Sequence, residues 1–176
     1  GINVVDDFDA GVLAHPRYDY AVRVEGPLLE PIVASAQRLW RLVAWASLRH
    51  RDLQPLLAPP HVEPAGDIRA AFVVRDNLRY RHAIENAYLE AIGGARDEIV
   101  IANAYFFPGR RFRQALVDAA ERGVRVTLLL QGLSDHPLQA YATRALYPMF
   151  LARGIRLFDY HRSHLHAKVA VVDRQW

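Results

Sequence analysis

His164-Leu165-His166-Ala167-Lys168-Val169-Ala170-Val171-Val172-Asp173, close to the end of the sequence, decides how the rest is read. Ala167 to Val172 is a short, valine-rich apolar run, which predicts a buried strand. His166 and Lys168 stand two apart, so on a strand their side chains leave the same face. The bland alternative is a lysine that snorkels to solvent beside a histidine that merely packs. Asp173 falls where the strand should end. A neutral imidazole can act as a nucleophile, and a lysine two residues on can hold anionic oxygens as a point charge.

The chain has 176 residues, 52% of them hydrophobic, with no cysteine and a formal net charge of +3. That length suits one domain with a real core, or a piece of something larger. Without cysteine, disulfide staples and thiolate zinc sites are excluded. The mild positive charge fits an anionic substrate or surface. Nucleic acid is argued against, since no sustained basic patch interleaved with aromatics accompanies it. No apolar run reaches the length of about 18 residues that a membrane-spanning helix needs.

Upstream of the motif the pattern alternates. Tyr18 to Glu25 predicts a strand, Gly26-Pro27 ends it, and a helix follows from about Leu28 into the Trp40 to Trp45 region. Leu29, Ile32, Val33, Ala36, Leu39, Trp40 and Val43 would form its apolar face, explained by packing or by contact with a membrane surface. Pro55, Pro59, Pro60, Pro64 and Gly66 mark an irregular connector. Beyond it, strands are expected at Ile68–Val74, Glu98–Phe106, Val124–Leu130, Ile155–Tyr160 and His166–Val172. Helices are expected at Arg81–Ile92, Pro108–Arg122 and Leu138–Ala152, the last perturbed at Pro148. This succession predicts an α/β fold, a mostly parallel mixed sheet with helices on both faces. The expected organisation is 1–52, a connector at 53–66, and 67–176.

The spacing His166-x-Lys168-x4-Asp173 resembles the signature of the phospholipase D superfamily. Longer stretches narrow the resemblance: Ile101-Ala102-Asn103-Ala104-Tyr105-Phe106-Phe107-Pro108-Gly109, then Arg113, Leu116 and Ala120, then Arg122-Gly123-Val124-Arg125-Val126. With Leu130-Gln131-Gly132, Tyr147, Gly154, Arg162-Ser163-His164-Leu165 and Asp19-Tyr20-Ala21-Val22-Arg23-Val24-Glu25-Gly26-Pro27, these resemble bacterial cardiolipin synthases and their close phosphatidyltransferase relatives. The resemblance covers nearly the whole chain and is weakest through the connector.

Displacement at a phosphodiester needs a nucleophile, a group to protonate the departing oxygen, and positive charge around phosphorus. With lysines clamping the phosphate from two sides, no metal or other cofactor is required. That logic expects a second histidine opposite the first, hence a duplicated motif, and one copy is present. Gly1-Ile2-Asn3 resembles the end of the tail that follows the first copy. On this reading 1–52 is the C-terminal part of a first half and 67–176 the N-terminal part of a second. The chain is then expected to belong to a longer enzyme and to show little or no activity alone. Asp6 and Asp7 read as a turn rather than a metal site, since no further oxygen ligands follow.

The resemblance implies transfer of a phosphatidyl group from an anionic phospholipid, through a phosphohistidine, to the hydroxyl of phosphatidylglycerol or a similar lipid. It also implies peripheral attachment at the cytoplasmic face of the bacterial inner membrane. By the pattern of two-copy relatives, His166 would be the general acid and base, Lys168 the oxygen clamp, and Asp173 an orienting carboxylate for its own or the opposite half-site. The substrate-binding candidates are Asn3, Asn103 and Tyr105. Asn103 and Tyr105 lie near the carboxyl end of an expected central strand, where open α/β sheets place ligands. Asn103 could equally cap or bond at the sheet edge, and Tyr105 could equally pack. His164 is expected to be exposed rather than catalytic. Arg110, Arg111 and Arg113 at the start of a helix could meet an anion or form a solvated face. Gln131-Gly132 begins a loop that could shape acceptor entry, and His136 in that loop has no paired lysine. Two rival functions remain: a phosphodiesterase such as a lipid hydrolase or nuclease, and a scaffold that keeps the fold without turnover. Oligomeric state is open.

Overall fold

Nine elements follow one another in the computed structural model, which describes residues 17–47, 62–76, 78–133 and 137–176. They are α1 (Leu29–Ala46), α2 (Ala83–Gly94), β1 (Glu98–Asn103), α3 (Arg110–Glu121), β2 (Arg125–Gln131), α4 (Pro137–Arg144), α5 (Tyr147–Leu151), β3 (Arg156–Tyr160) and β4 (Lys168–Val172). The described residues through Ala21, together with Glu85–Trp176, form one compact unit, and Val22–Ile84 form another.

The first unit holds a four-stranded sheet in the order β3-β2-β1-β4. β1 pairs parallel with β2 and β2 parallel with β3, whereas β4 runs antiparallel to β1. The sheet is therefore mixed and mostly parallel, within an α/β unit. Helical crossovers between neighbouring parallel strands are right-handed, so two steps in the same direction across the sheet put their helices on the same side. Registry places Ile99, Ile101, Val126, Leu128, Leu130, Leu157, Ala170 and Val172 on one face. These pack with Ile92 of α2, Leu116, Val117 and Ala119 of α3, and Phe150 of α5 into the main core. A smaller cluster of Ala102, Leu165 and Ala167, flanked by Leu129, Tyr160 and Val169, forms on the opposite face toward the end where β4 starts.

At its other end β4 is closed by a tight turn. Asp173 and Arg174 both take positive φ, 49° and 58°, and the Gln175 amide donates to the Val172 carbonyl at 3.0 Å. Two consecutive left-handed residues make the turn tight, and aspartate tolerates that conformation better than most residues.

Several expected elements come out differently. Tyr18–Glu25 is not a strand; it makes one parallel bridge, between Tyr18 and Leu165. Ile68–Val74 is not a strand either; all seven of its residues are exposed, with no sheet for its apolar side chains to pack on among the described residues. The expected helix over Leu138–Ala152 is two helices, with Pro148 in the first turn of α5, where its missing N–H costs nothing. Glu98–Phe106 stops being strand at Asn103. In the second unit α1 forms as expected, yet only its Ala44 is buried, and Leu39, Trp40, Val43 and Trp45 are exposed. The helix is amphipathic, but its packing explanation is not met within the described residues. Asn3, Asp6, Asp7, His136 and most of the 53–66 connector lie outside the described residues.

Candidate active site

Because β1, β2 and β3 are parallel, their carboxyl ends meet along one edge of the sheet, and antiparallel β4 begins at that edge. Asn103, the last residue of β1, is registered against Lys168, the first of β4. His166 lies just before the strand rather than on it. Its backbone N–H donates to the Tyr18 carbonyl at 2.9 Å, and the Tyr18 N–H donates to the His164 carbonyl at 2.9 Å. This pair of bonds lays residues 18–20 alongside 164–166, with the Tyr18 ring 5.8 Å from that of Tyr160.

The result is a carboxylate beside the imidazole. Nδ1 of His166 donates to Oδ2 of Asp19 at 3.1 Å, and the two side chains are 22% and 18% exposed. On the other side of the ring, Nζ of Lys168 stands 3.2 Å from Nε2. An ammonium has donors only, so Nε2 must accept, and the ring proton is thereby assigned to Nδ1 facing Asp19. The hydrogen bond from His166 is the leading cause that holds the Asp19 carboxyl below its ordinary range, assisted by the Tyr20 amide. Nε2, on the side of the ring away from the carboxylate, is the atom placed to exchange a proton with a substrate oxygen. Lys168 also lies over the Tyr105 ring, 5.8 Å from its centroid, a cation–π separation that keeps the ammonium on this side of the edge.

The approach to His166 is braced from behind. The Gln131 side chain at the end of β2 accepts from the Leu165 amide at 2.7 Å, and its Nε2 stands 2.9 Å from Nδ1 of His164. The same amide group donates to the Leu133 carbonyl. Leu165 is 2% exposed, so its N–H has no water to fall back on and needs this partner. His164 is half-buried through this contact instead of exposed.

Asp173 does something other than orient an imidazole. Its carboxylate accepts from the backbone N–H groups of Arg96 at 2.8 Å, and of Asp97 and Glu98 at 2.9 Å each. Those bonds, led by Glu98, hold its carboxyl below the usual range. Since Asp173 sits at the end of β4 remote from Lys168, it pins the start of β1 to the end of β4. Asn103 takes the capping alternative, its Oδ1 accepting from the Tyr105 amide at 2.9 Å. Tyr105 is partly exposed at the edge, beside Lys168. Of the candidate residues, then, the structure brings together His166, Lys168, Asn103 and Tyr105, leaves Asp173 apart, and does not describe Asn3.

Asp19 is the candidate site residue that spacing missed. It stands 147 positions before His166, inside a stretch read as strand and linked by resemblance to the segment after a first motif. Nothing in its local pattern sets it apart from a surface carboxylate. Among the described residues no group of three or more histidine, aspartate and glutamate side chains could hold a metal ion, and no helix is long and apolar enough to cross a membrane.

An imidazole held between a carboxylate and a lysine, at the carboxyl edge of a mostly parallel α/β sheet, is the candidate site of this phospholipase D-like chain. Residues 88–176, just over half of the chain, match the family described as cardiolipin synthase, phospholipase D-like domain. The whole chain aligns at 38% identity with cardiolipin synthase B of Escherichia coli K12, covering 42% of that protein. It aligns at 30% identity over 88% of its length with the probable cardiolipin synthase YwiE of Bacillus subtilis, covering 30% of that protein. Among solved structures, Nuc from Salmonella typhimurium, a phospholipase D family member, is 26% identical over 52% of this chain and 58% of its own, with a TM-score of 0.40. The chain belongs to the cardiolipin synthase, phospholipase D-like domain family, and it spans about two-fifths of the length of cardiolipin synthase B.

Proposed function

We propose that this chain contributes one half-site of a phosphatidyltransferase that makes cardiolipin from phosphatidylglycerol or a similar anionic donor. The observation that carries the proposal is the His166 imidazole placed between Asp19 and Lys168, in a chain similar throughout to cardiolipin synthase B. The complete enzyme supplies an opposite histidine and lysine from residues beyond these 176.

In the first step the opposite histidine attacks phosphorus, forming the N–P bond. The bond from phosphorus to the departing glycerol oxygen breaks, and protonated His166 gives its Nε2 proton to that oxygen. Lys168 leaves Nε2 for a non-bridging phosphate oxygen, where it offsets the charge that builds up. Asp19 keeps Nδ1 protonated throughout. In the second step neutral His166 takes the proton of the acceptor hydroxyl, whose oxygen attacks the phosphohistidine and releases the first histidine. Tyr105 lines the place where the phosphate sits, and Asn103 fixes the turn that presents it; Asn3 is assigned to the opposite half-site. The enzyme works at the cytoplasmic face of the bacterial inner membrane as a peripheral protein.

The test incubates the complete enzyme, wild type and His166→Ala, with labelled phosphatidylglycerol. Cardiolipin formed by wild type and abolished in a folded variant is the expected result. Cardiolipin still made by the variant would remove His166 from the site. Phosphatidic acid as the sole wild-type product would replace transfer by hydrolysis.

A further inference from the structure

Behind His166, at the end of β2, one side-chain amide has both of its ends in use. Oε1 of Gln131 accepts from the Leu165 amide at 2.7 Å. Its Nε2 donates to the Leu133 carbonyl and stands 2.9 Å from Nδ1 of His164. The two ends of the amide cannot be exchanged, because the Leu165 N–H requires an acceptor and the Leu133 carbonyl a donor. Nε2 therefore presents its second N–H to His164, and Nδ1 of that ring must accept it. His164 is a neutral ring here with its proton on Nε2, the opposite tautomer to that of His166 two residues on.

Charge on the His164 ring undoes this arrangement. An imidazolium carries N–H at both nitrogens, so it would set Nδ1–H against the Gln131 amide hydrogens across 2.9 Å. Turning the amide over would give His164 an acceptor, but it would leave the N–H of Leu165, a residue only 2% exposed, facing a donor. The surroundings offer no compensation. Gln131 is neutral, and from the 17–20 segment Tyr18 brings a backbone N–H to the His164 carbonyl. The Asp19 carboxylate is bonded to His166. On the same segment as His164, Arg162 is exposed and the His161 ring lies against Gly132, where an added Cβ would come within 2.6 Å of it. His164 has no ion-pair partner among the described residues, which do not include Asp135 and His136 of the loop after β2.

We propose that His164 is a positioning residue for His166: neutral, it completes the Gln131 brace that fixes Leu165, and a proton on it releases that brace and lowers the activity of the site. The path is short. Leu165 immediately precedes His166, Gln131 holds it from the β2 side, and its bridge to Tyr18 brings Asp19 to Nδ1 of His166. A loosened Leu165 therefore weakens the contact that sets the His166 tautomer. The inference rests on the reading of His166 as the group that moves the proton, and adds a residue two positions upstream whose own charge governs it. Histidine is the side chain that ordinarily changes charge between about pH 5 and 8, which sets the range of the test.

Wild type, His164→Asn and His164→Leu of the complete enzyme are compared on labelled phosphatidylglycerol from about pH 5.5 to pH 8, with thermal unfolding recorded in parallel. Asparagine places Oδ1 where histidine has Nδ1, so it accepts from Gln131 and never charges, whereas leucine removes the acceptor. The expected result at the upper pH is a kcat about tenfold lower in His164→Leu, with KM within about threefold, and most of the rate recovered in His164→Asn. Toward the lower pH the ratio of wild-type kcat to that of His164→Asn should fall about fivefold or more; the titration of His166 is common to both and cancels. A ratio constant within about twofold would overturn the proposal, also if His164→Leu fails to fold, and so would a His164→Leu kcat within about twofold of wild type. If wild type makes no cardiolipin, the transfer reading fails, and the ring nitrogens decide instead, by nitrogen-15 NMR of the histidine-labelled complete enzyme. A His166 proton held on Nδ1 in wild type and His164→Asn but shared between both nitrogens in His164→Leu supports the positioning role. Identical His166 signals in all three proteins, or a His164 proton on Nδ1, overturn it.

Discussion

Replacing Asp19 by asparagine tests the assignment of the ring proton more sharply than removing the histidine. The carboxylate can only accept, so it demands a proton on Nδ1 of His166, 3.1 Å away. An asparagine can turn its NH2 toward the ring instead. That would move the ring proton to Nε2, against an ammonium only 3.2 Å from that nitrogen. The neutral ring would then have no lone pair at Nε2 with which to take the proton of the acceptor hydroxyl in the second step. In a fully buried Ser-His-Asp triad the corresponding aspartate to asparagine change lowers kcat about 10⁴-fold through the wrong tautomer. Here Asp19 and His166 are 18% and 22% exposed, so water can take over part of the orienting role. The expected loss is correspondingly smaller, about 10² to 10³-fold in kcat for phosphatidyl transfer. KM should stay within about threefold, because Asp19 meets the imidazole and not the substrate. The assay is steady-state turnover of the complete enzyme on labelled phosphatidylglycerol, with Asp19→Glu as a second variant that keeps the charge and recovers part of the rate. An Asp19→Asn enzyme with kcat within about threefold of wild type would refute the argument, as would a change confined to KM.

Two other predictions concern what holds the site in place. Asp173 has a depressed folded pKa because three backbone amides bond its carboxylate, so its contribution to stability is complete above the unfolded aspartate value of about 3.9 and is lost as pH falls through the lower folded value. Denaturation midpoints measured from pH 6 down to pH 2 should therefore fall less steeply in Asp173→Asn than in wild type; parallel curves would show that the clamp does not form. Gln131→Ala removes the acceptor of the buried Leu165 amide, an unsatisfied donor that costs about 1–3 kcal/mol. Urea denaturation should register that loss, and a change below about 0.5 kcal/mol would mean that the 163–166 segment finds its partners elsewhere.

The central strands were readable because two periodicities agree with their environment. Val126, Leu128 and Leu130 face the helices, while Thr127 and Leu129 face away and remain partly exposed. His166 and Lys168 stand out as candidates because their chemistry is out of place beside a valine-rich strand, and the structure puts them with Tyr105 at one sheet edge. Tyr18–Glu25 misled for the same reason that the strands succeeded: alternation describes one face of a segment and says nothing of whether a partner strand exists. Asp173 misled by proximity. Its spacing from Lys168 suggests a shared task, but strand geometry carries it to the opposite end of β4, where the free amides of residues 96–98 are the nearest claim on a carboxylate.

The placement of His166 ahead of β4 has a consequence for how the half-site is built. A residue inside a ladder is positioned by its neighbours in the sheet, but His166 contributes its amide to Tyr18 instead, outside the named strands. The ring is thus located by two contacts of very different origin. Lys168, two residues away, fixes the Nε2 side locally, and Asp19 fixes the Nδ1 side from 147 positions upstream. The Tyr18–Leu165 bridge couples them, since the same pairing that orders the loop before His166 brings Asp19 alongside. Loss of that bridge would leave a histidine and a lysine at the proper spacing, with the motif intact in sequence, while the imidazole was free to take either tautomer. The short motif alone therefore does not fix the orientation of the imidazole; the contact from the remote segment does.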